Sequence, residues 1–272
     1  MARITVNGCN YFYQDVGQGP ETIVFGHGFL MTHRMWEHQI DAFRDRYRCI
    51  AIDWRGQGWS EVTDDGYGVL ELCDDLVQIV EQLDTGPTHY VGLSMGGFVG
   101  FWLLLRDPDW LQSAALLDTQ AESEPRPSQR KYEAMLTVAR WLGYAPVIDR
   151  TLQMLFGPAF LNNPETQHEV ERWKGILQSN DRTGIYRAGM GIFHRPDALP
   201  QLGAVQTPTL LLTGADDIPT PVEKARKAHD KLPNSELVVL PAAGHSSAME
   251  RPDAVNEALI RFIGAHSSVP AG

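Results

Sequence analysis

The chain has 272 residues, 43% of them hydrophobic and 21% charged, with a formal net charge of −11. That composition is ample for a buried core, and an acidic balance without a lysine or arginine cluster makes nucleic acid and anionic membrane surfaces poor partners. Cys9, Cys49 and Cys73 form neither a metal-ligand spacing nor a disulfide framework, residues 1–10 carry no secretory-type apolar core, and no run approaches a membrane span, so the expectation is a soluble, cytoplasmic protein without a metal.

Ile4-Thr5-Val6 and Tyr11-Phe12-Tyr13 flank Asn7-Gly8 and read as a hairpin. The apolar run at residues 22–25 predicts a strand ending in Gly26-His27-Gly28-Phe29. Met35, Trp36, Ile40 and Phe43 then recur at helical spacing. A second apolar strand at 48–52 is closed by Asp53-Trp54-Arg55-Gly56-Gln57-Gly58-Trp59-Ser60. Leu72, Leu76, Ile79, Val80 and Leu83 mark one face of the next helix. After it comes the run His89-Tyr90-Val91, then Gly92-Leu93-Ser94-Met95-Gly96-Gly97, then the apolar helix that begins at Phe98. Residues 113–117 form another strand, ending at Asp118. These strands are continuous apolar runs, as a parallel sheet covered by helices on both faces requires. In such a sheet, binding sites gather at the carboxyl ends of the strands, where Phe29, Asp53, Ser94 and Asp118 all fall.

The pattern breaks at residues 121–202. No strand is evident there, prolines divide the stretch, and aromatics and methionines are spread along it. It reads as a helical cap whose side chains mostly serve a small core of its own, with a minority, Trp141, Met190 and Phe193 among them, lining an apolar pocket. After Thr207-Pro208 the strand pattern returns at 209–213, followed by Gly214-Ala215-Asp216-Asp217-Ile218-Pro219-Thr220-Pro221, a helix over 222–232, a strand at 236–240, Gly244-His245 and a last helix. The expected fold class is α/β: a doubly wound, mostly parallel eight-stranded sheet. Residues 1–120 and 203–272 form the core domain, and the cap of 121–202 is inserted after the sixth strand. The tail at 267–272 is expected to fray.

A strand turning at once into a helix pushes the apex serine out at the sheet edge, and glycines two positions either side let the neighbouring backbone pack close enough for the turn. The new helix aims its free N–H groups at whatever the serine oxygen attacks. A serine hydroxyl is a poor nucleophile unless a base lies within hydrogen-bond reach and a further group fixes the base's tautomer. Taken singly, His245 reads as a structural or exposed loop histidine, and Asp216 or Asp217 as turn chemistry or a charge at a helix start. Serine, acid and histidine at successive strand ends are hard to explain that way together.

On these segments the chain resembles the α/β-hydrolases from about residue 20 to about 265, with the elbow at Gly92 to Gly97 matching G-x-S-x-G. The resemblance implies Ser94 as nucleophile, His245 as general base and Asp217, three residues after Gly214 and four before Pro221, as the acid. Asp216 is the runner-up, and Asp118 an outsider, because some relatives place the acid after the earlier strand. It further implies an oxyanion hole built from the backbone N–H groups of Phe29 and Met95, and no cofactor. His27 reads as a loop organiser, and the turn at 53–60 as a structural lock with Arg55 paired internally.

Serine at the apex argues against the branches that use an aspartate nucleophile, and Leu93 against the carbon–carbon bond hydrolases, which carry asparagine before the serine. The elbow, Gly184-Ile185-Tyr186-Arg187-Ala188 and the Asp216-to-Pro221 segment are similar to 3-oxoadipate enol-lactonases and are largely shared by carboxylesterases. The implied activity is hydrolysis of a small-molecule carboxylic ester through an acyl-enzyme, with a lactonase of that type as the alternative. A catalytically slow ligand receptor on the same fold is the reading from another class.

Overall fold

The computed structural model describes residues 2–268. The chain opens with strands β1 (Ala2–Val6) and β2 (Cys9–Val16), joined across Asn7 and Gly8, and continues into β3 (Thr22–Gly26). A 3-10 turn at His33–Trp36 leads into α1 (Glu37–Phe43), so the apolar spacing that predicts one helix is shared between two short elements. Then follow β4 (Arg48–Ile52), α2 (Val69–Gln82), β5 (Thr88–Leu93), α3 (Met95–Arg106) and β6 (Leu111–Leu117). Between β6 and the next strand lie α4 (Arg126–Leu142), α5 (Ile148–Leu155), α6 (Pro158–Leu161), α7 (Gln167–Ser179) and α8 (Arg182–Phe193). The chain closes with β7 (Thr209–Gly214), α9 (Val222–His229), β8 (Ser235–Leu240), α10 (Ser247–Glu250) and α11 (Pro252–Ala265). No helix among the described residues is long and apolar enough to cross a membrane.

The eight strands form one sheet in the order β1-β2-β4-β3-β5-β6-β7-β8. Pairings within β1-β2-β4 are antiparallel, and all others are parallel. Every residue of β3, β5 and β7 is buried, which accounts for their continuous apolar sequence. β8 is largely half-buried, as befits an edge strand. Side chains alternate between two cores, one on each face of the sheet. Ile23 and Phe25 pack with Trp36, Phe156, Leu259 and Phe262 on one side, and Val24 packs with Ile50, Leu76, Tyr90 and Leu116 on the other.

The three cysteines are buried and unpaired, and burial pushes the Cys9 thiol up to about 11 and the Cys49 and Cys73 thiols up to about 12. Of the tail expected to fray, Ser267 and Ser268 are described, and both contact Glu21. Ser267 donates its hydroxyl to Glu21, and the Ser268 N–H donates to the same carboxylate at 2.8 Å. Residues 269–272 lie outside the described residues.

Arg55 is paired internally, as its turn suggests. Its Nη2 lies 2.7 Å from Asp75 Oδ2, both side chains are buried, and the Tyr11 hydroxyl donates to the same carboxylate. The pair fastens the loop after β4 to α2 and to the amino-terminal hairpin. Removing one member of a buried pair strands the other charge, at a cost of about 3–5 kcal/mol, whereas replacing both with apolar groups is often near neutral. Asp75→Ala is therefore expected to lower the urea-unfolding free energy by about 3–5 kcal/mol, and the double replacement Arg55→Met/Asp75→Leu by clearly less.

Candidate active site

Backbone geometry at the end of β5 sets up the site. Ser94 has φ 52° and ψ −108°, a left-handed conformation that strains any residue other than glycine. Its N–H donates to the Leu117 carbonyl at 2.9 Å, and its own carbonyl accepts from the Thr119 hydroxyl and the Phe98 N–H, each at 2.9 Å. The glycines on either side are required by close approach. A Cβ on Gly92 would lie 2.5 Å from the Gly96 carbonyl oxygen, and one on Gly96 2.1 Å from the Gly26 carbonyl oxygen. β3, β5 and α3 thus meet backbone to backbone, and the turn presents Ser94 at the carboxyl edge of the sheet.

His245 follows β8, and its Nε2 lies 2.8 Å from Ser94 Oγ. Its Nδ1 lies 3.0 Å from each carboxylate oxygen of Asp217, in the loop after β7. Asp217 Oδ1 also accepts from the Thr220 N–H at 2.9 Å, and Oδ2 from the Thr220 hydroxyl at 2.7 Å. The structure therefore brings Ser94, His245 and Asp217 into one hydrogen-bonded line. Asp216 is exposed, while Asp217 is only 4% exposed.

Asp118 serves a different end. Its Oδ1 accepts from the Gly214 N–H at 2.8 Å and its Oδ2 from the Ser247 N–H at 3.0 Å, so it ties the end of β7 to the loop that carries His245. Complete burial, reinforced by the nearby Asp217 charge, holds its carboxyl well above the usual carboxylate range. Glu250 braces the same loop from the other side. It accepts from the backbone N–H groups of Gly244, Ser246 and Gly157 at 2.9, 3.1 and 3.0 Å.

Facing the serine, Gly28 lets the loop after β3 approach the elbow, since a Cβ there would lie 3.1 Å from a Leu93 methyl and 3.5 Å from Ser94 Cβ. The N–H groups of Phe29, in this loop, and of Met95, at the first position of α3, have no acceptor among the described residues. His27 organises the loop: its Nε2 accepts from the Trp54 N–H at 2.9 Å, and its Nδ1 lies 2.7 Å from the Gly28 carbonyl. Burial lowers the His27 pKa to about 4, so at neutral pH it is an uncharged ring that donates through Nδ1.

A cavity of about 130 Å³ opens beside Ser94 and His245. Its wall is mainly apolar, with Phe29, Leu136, Ile148, Leu155 and Phe193 contributing. Asn180, between α7 and α8, fastens these helices over the sheet edge: its side chain donates to the Leu30 carbonyl at 2.9 Å and accepts from the Gly58 N–H at 3.1 Å. Of the three expected pocket residues, only Phe193 lies on the wall. Trp141 is 73% exposed on the outer face of α4, and Met190 packs into the small core shared by α4 and α8. An aromatic in an amphipathic helix shows its spacing in the sequence but not which face the tertiary fold turns inward. Missed altogether were Thr220, Glu250 and three polar wall residues, Glu124, Tyr132 and Arg195. Arg195 lies just past the end of α8 at Phe193, between His194 and Pro196, where a charged residue is ordinary at a helix end, so no local pattern singles it out.

Fold and site together define an α/β-hydrolase. A model of the alpha/beta hydrolase fold family matches residues 21–252, and the chain belongs to that family. A Mycobacterium tuberculosis relative, provisionally named a non-heme bromoperoxidase, is 31% identical over 258 residues, covering 93% of this chain and 97% of its own. A 3-oxoadipate enol-lactonase of Acinetobacter baylyi is 28% identical over 249 residues, covering 91% and 90%. Among solved structures, a thermophilic esterase from Thermogutta terrifontis superposes with a TM-score of 0.91 at 27% identity, covering 98% of this chain and all of the other.

Burial works to lower the His245 pKa, but Asp217, with smaller contributions from Asp118 and Glu250, outweighs it, and the net shift is upward. His245 is therefore expected to titrate above the ordinary histidine value of about 6.5 when its ring is followed by NMR. In Asp217→Asn the attraction is lost while burial remains, so the titration should move below that of the parent.

Proposed function

We propose that the chain is a serine hydrolase of small carboxylic esters, with Ser94 as nucleophile, His245 as general base and Asp217 as the group that orients it. The observation that carries this reading is the unbroken line of contacts, 2.8 Å from Ser94 Oγ to His245 Nε2 and 3.0 Å from His245 Nδ1 to Asp217. His245 takes the Ser94 proton as Oγ attacks the ester carbonyl. The negative charge that develops on the carbonyl oxygen is met in this reading by the Phe29 and Met95 N–H groups, and their lack of an acceptor among the described residues supports that role. The imidazolium, held by Asp217, gives the proton to the departing alcohol and leaves an acyl group on Ser94. Water, deprotonated by His245, then releases the acid by the same route in reverse order.

The helices of residues 121–202 act in this reading as a cap that closes the acyl pocket and excludes water. A cavity of about 130 Å³ is comparable to one that accommodates benzene, which favours short acyl or alcohol groups over long chains. The buried, unpaired cysteines support a reducing, cytoplasmic setting. A lactone is an internal ester and follows the same steps, and the Acinetobacter relative's name keeps lactones among the candidate substrates.

Ser94→Ala should lower kcat on a short p-nitrophenyl ester by about a million-fold and abolish labelling by a fluorophosphonate, with the circular-dichroism spectrum unchanged. Near-parental turnover would overturn the assignment, and labelling of the parent without sustained turnover would favour a receptor. For the acid, Asp217→Asn should cost on the order of ten-thousand-fold in kcat, and Asp216→Asn no more than a few-fold. A larger loss from the second exchange would reverse their roles.

A further inference from the structure

The cavity wall carries a polar corner that the triad does not use. Tyr144 and Thr151, also on the wall, are committed elsewhere, their hydroxyls donating to the Asn180 carbonyl at 3.1 Å and the Val147 carbonyl at 2.9 Å. Arg195, Glu124 and Tyr132 have capacity to spare. Arg195 is 4% exposed, and its guanidinium carbon sits 3.8 Å from the centre of the Phe98 ring. Its Nη1 donates to the Ile192 carbonyl at 2.9 Å, and its Nη2 to the Glu122 carbonyl at 2.9 Å and Glu124 Oε2 at 3.4 Å. Its Nε is buried without any acceptor among the described residues. Glu124 Oε2 accepts in addition from the Gln120 side chain at 3.2 Å, whereas its Oε1 and the Tyr132 hydroxyl have no hydrogen bond among the described residues. Tyr132 stacks on Phe193 at 4.6 Å, and Phe193 meets Phe29 edge-on at 6.0 Å, so the corner stands two ring contacts from the loop facing Ser94.

We propose that Glu124, Arg195 and Tyr132 form a specificity subsite for an uncharged hydrogen-bonding group, a primary amide or a hydroxyl, at the far end of the substrate, and that this subsite rejects a carboxylate there. The inference rests on the ester-hydrolase reading and sharpens its substrate class. Glu124 Oε1 and the Tyr132 hydroxyl are wall groups without a hydrogen-bond partner among the described residues, and a ligand that supplies those partners keeps hydrogen bonds that an apolar ligand forfeits. An amide or hydroxyl can accept from Arg195 and donate to Glu124 in the same pose. A carboxylate has only acceptors to offer, must shed its hydration, and meets an arginine whose charge Glu124 already balances. Glu122 adds no free charge to the corner, since Lys224 and Lys227 hold its carboxylate at 2.7 and 2.9 Å. The enol-lactone of a dicarboxylic acid keeps one free carboxylate, so this corner argues against such a substrate even though the mechanism would serve it.

The test compares three methyl esters of matched shape on the unaltered protein by pH-stat: monomethyl glutarate, its ω-amide, and the hydrocarbon isostere ending in an isopropyl group. The ω-amide is expected to show kcat/KM at least tenfold above both of the others. In Glu124→Gln, where the arginine charge is no longer balanced, the ratio of carboxylate to amide kcat/KM should rise at least tenfold. Equal values for the three esters, or a preference for the carboxylate, with Ser94 still required, would overturn the subsite and leave the hydrolase intact. Absence of Ser94-dependent hydrolysis of all three would overturn both. The comparison on the unaltered protein needs no variant to fold.

Discussion

The site depends on one strained residue. Holding Ser94 at positive φ costs about 1–3 kcal/mol, and the conformation persists because its surroundings over-determine it. Gly92 and Gly96 let two strands and a helix pack backbone to backbone, and both peptide groups of Ser94 are hydrogen-bonded to neighbouring segments. The same constraint points the serine oxygen outward and leaves the Met95 N–H, at the first turn of α3, without an acceptor among the described residues. Relaxing the turn would displace the serine hydroxyl and the amide beside it together.

Around that turn the partners are fixed by carboxylates that bind backbone, not substrate. Asp118 holds the Gly214 and Ser247 amides, and Glu250 holds those of Gly157, Gly244 and Ser246. Asp217 and His245 lie on separate loops after separate strands, and these contacts set the distance between them. The result is a His245 ring that is buried yet biased toward its charged form.

The cavity follows a different logic. Its walls come largely from the helices between β6 and β7, and they are apolar except where Arg195, Glu124 and Tyr132 stand together. A buried guanidinium is a costly residue to keep for packing alone, because burial disfavours its charge and brings the pKa down to about 10. It pairs with Glu124 only at 3.4 Å, and its Nε–H is buried without an acceptor among the described residues.

Features whose physics is local are legible in the order of the amino acids alone. Continuous apolar strands alternating with amphipathic helices require a parallel sheet covered on both faces, and glycines spaced about Ser94 mark a strand turning directly into a helix. The family's spacing pointed to Asp217 over Asp216, and the fold separates the two by burying one and exposing the other. Which side chains of residues 121–202 face inward depends instead on how the helices pack. Trp141 and Phe193 are both aromatics on amphipathic helices, yet one is in solvent and the other on the cavity wall. Likewise Arg195 and Glu124 are 71 positions apart, and no local pattern relates them. Helical periodicity shows that a face exists, but only the packing of the helices over the sheet edge decides where that face points and which distant charges it brings together.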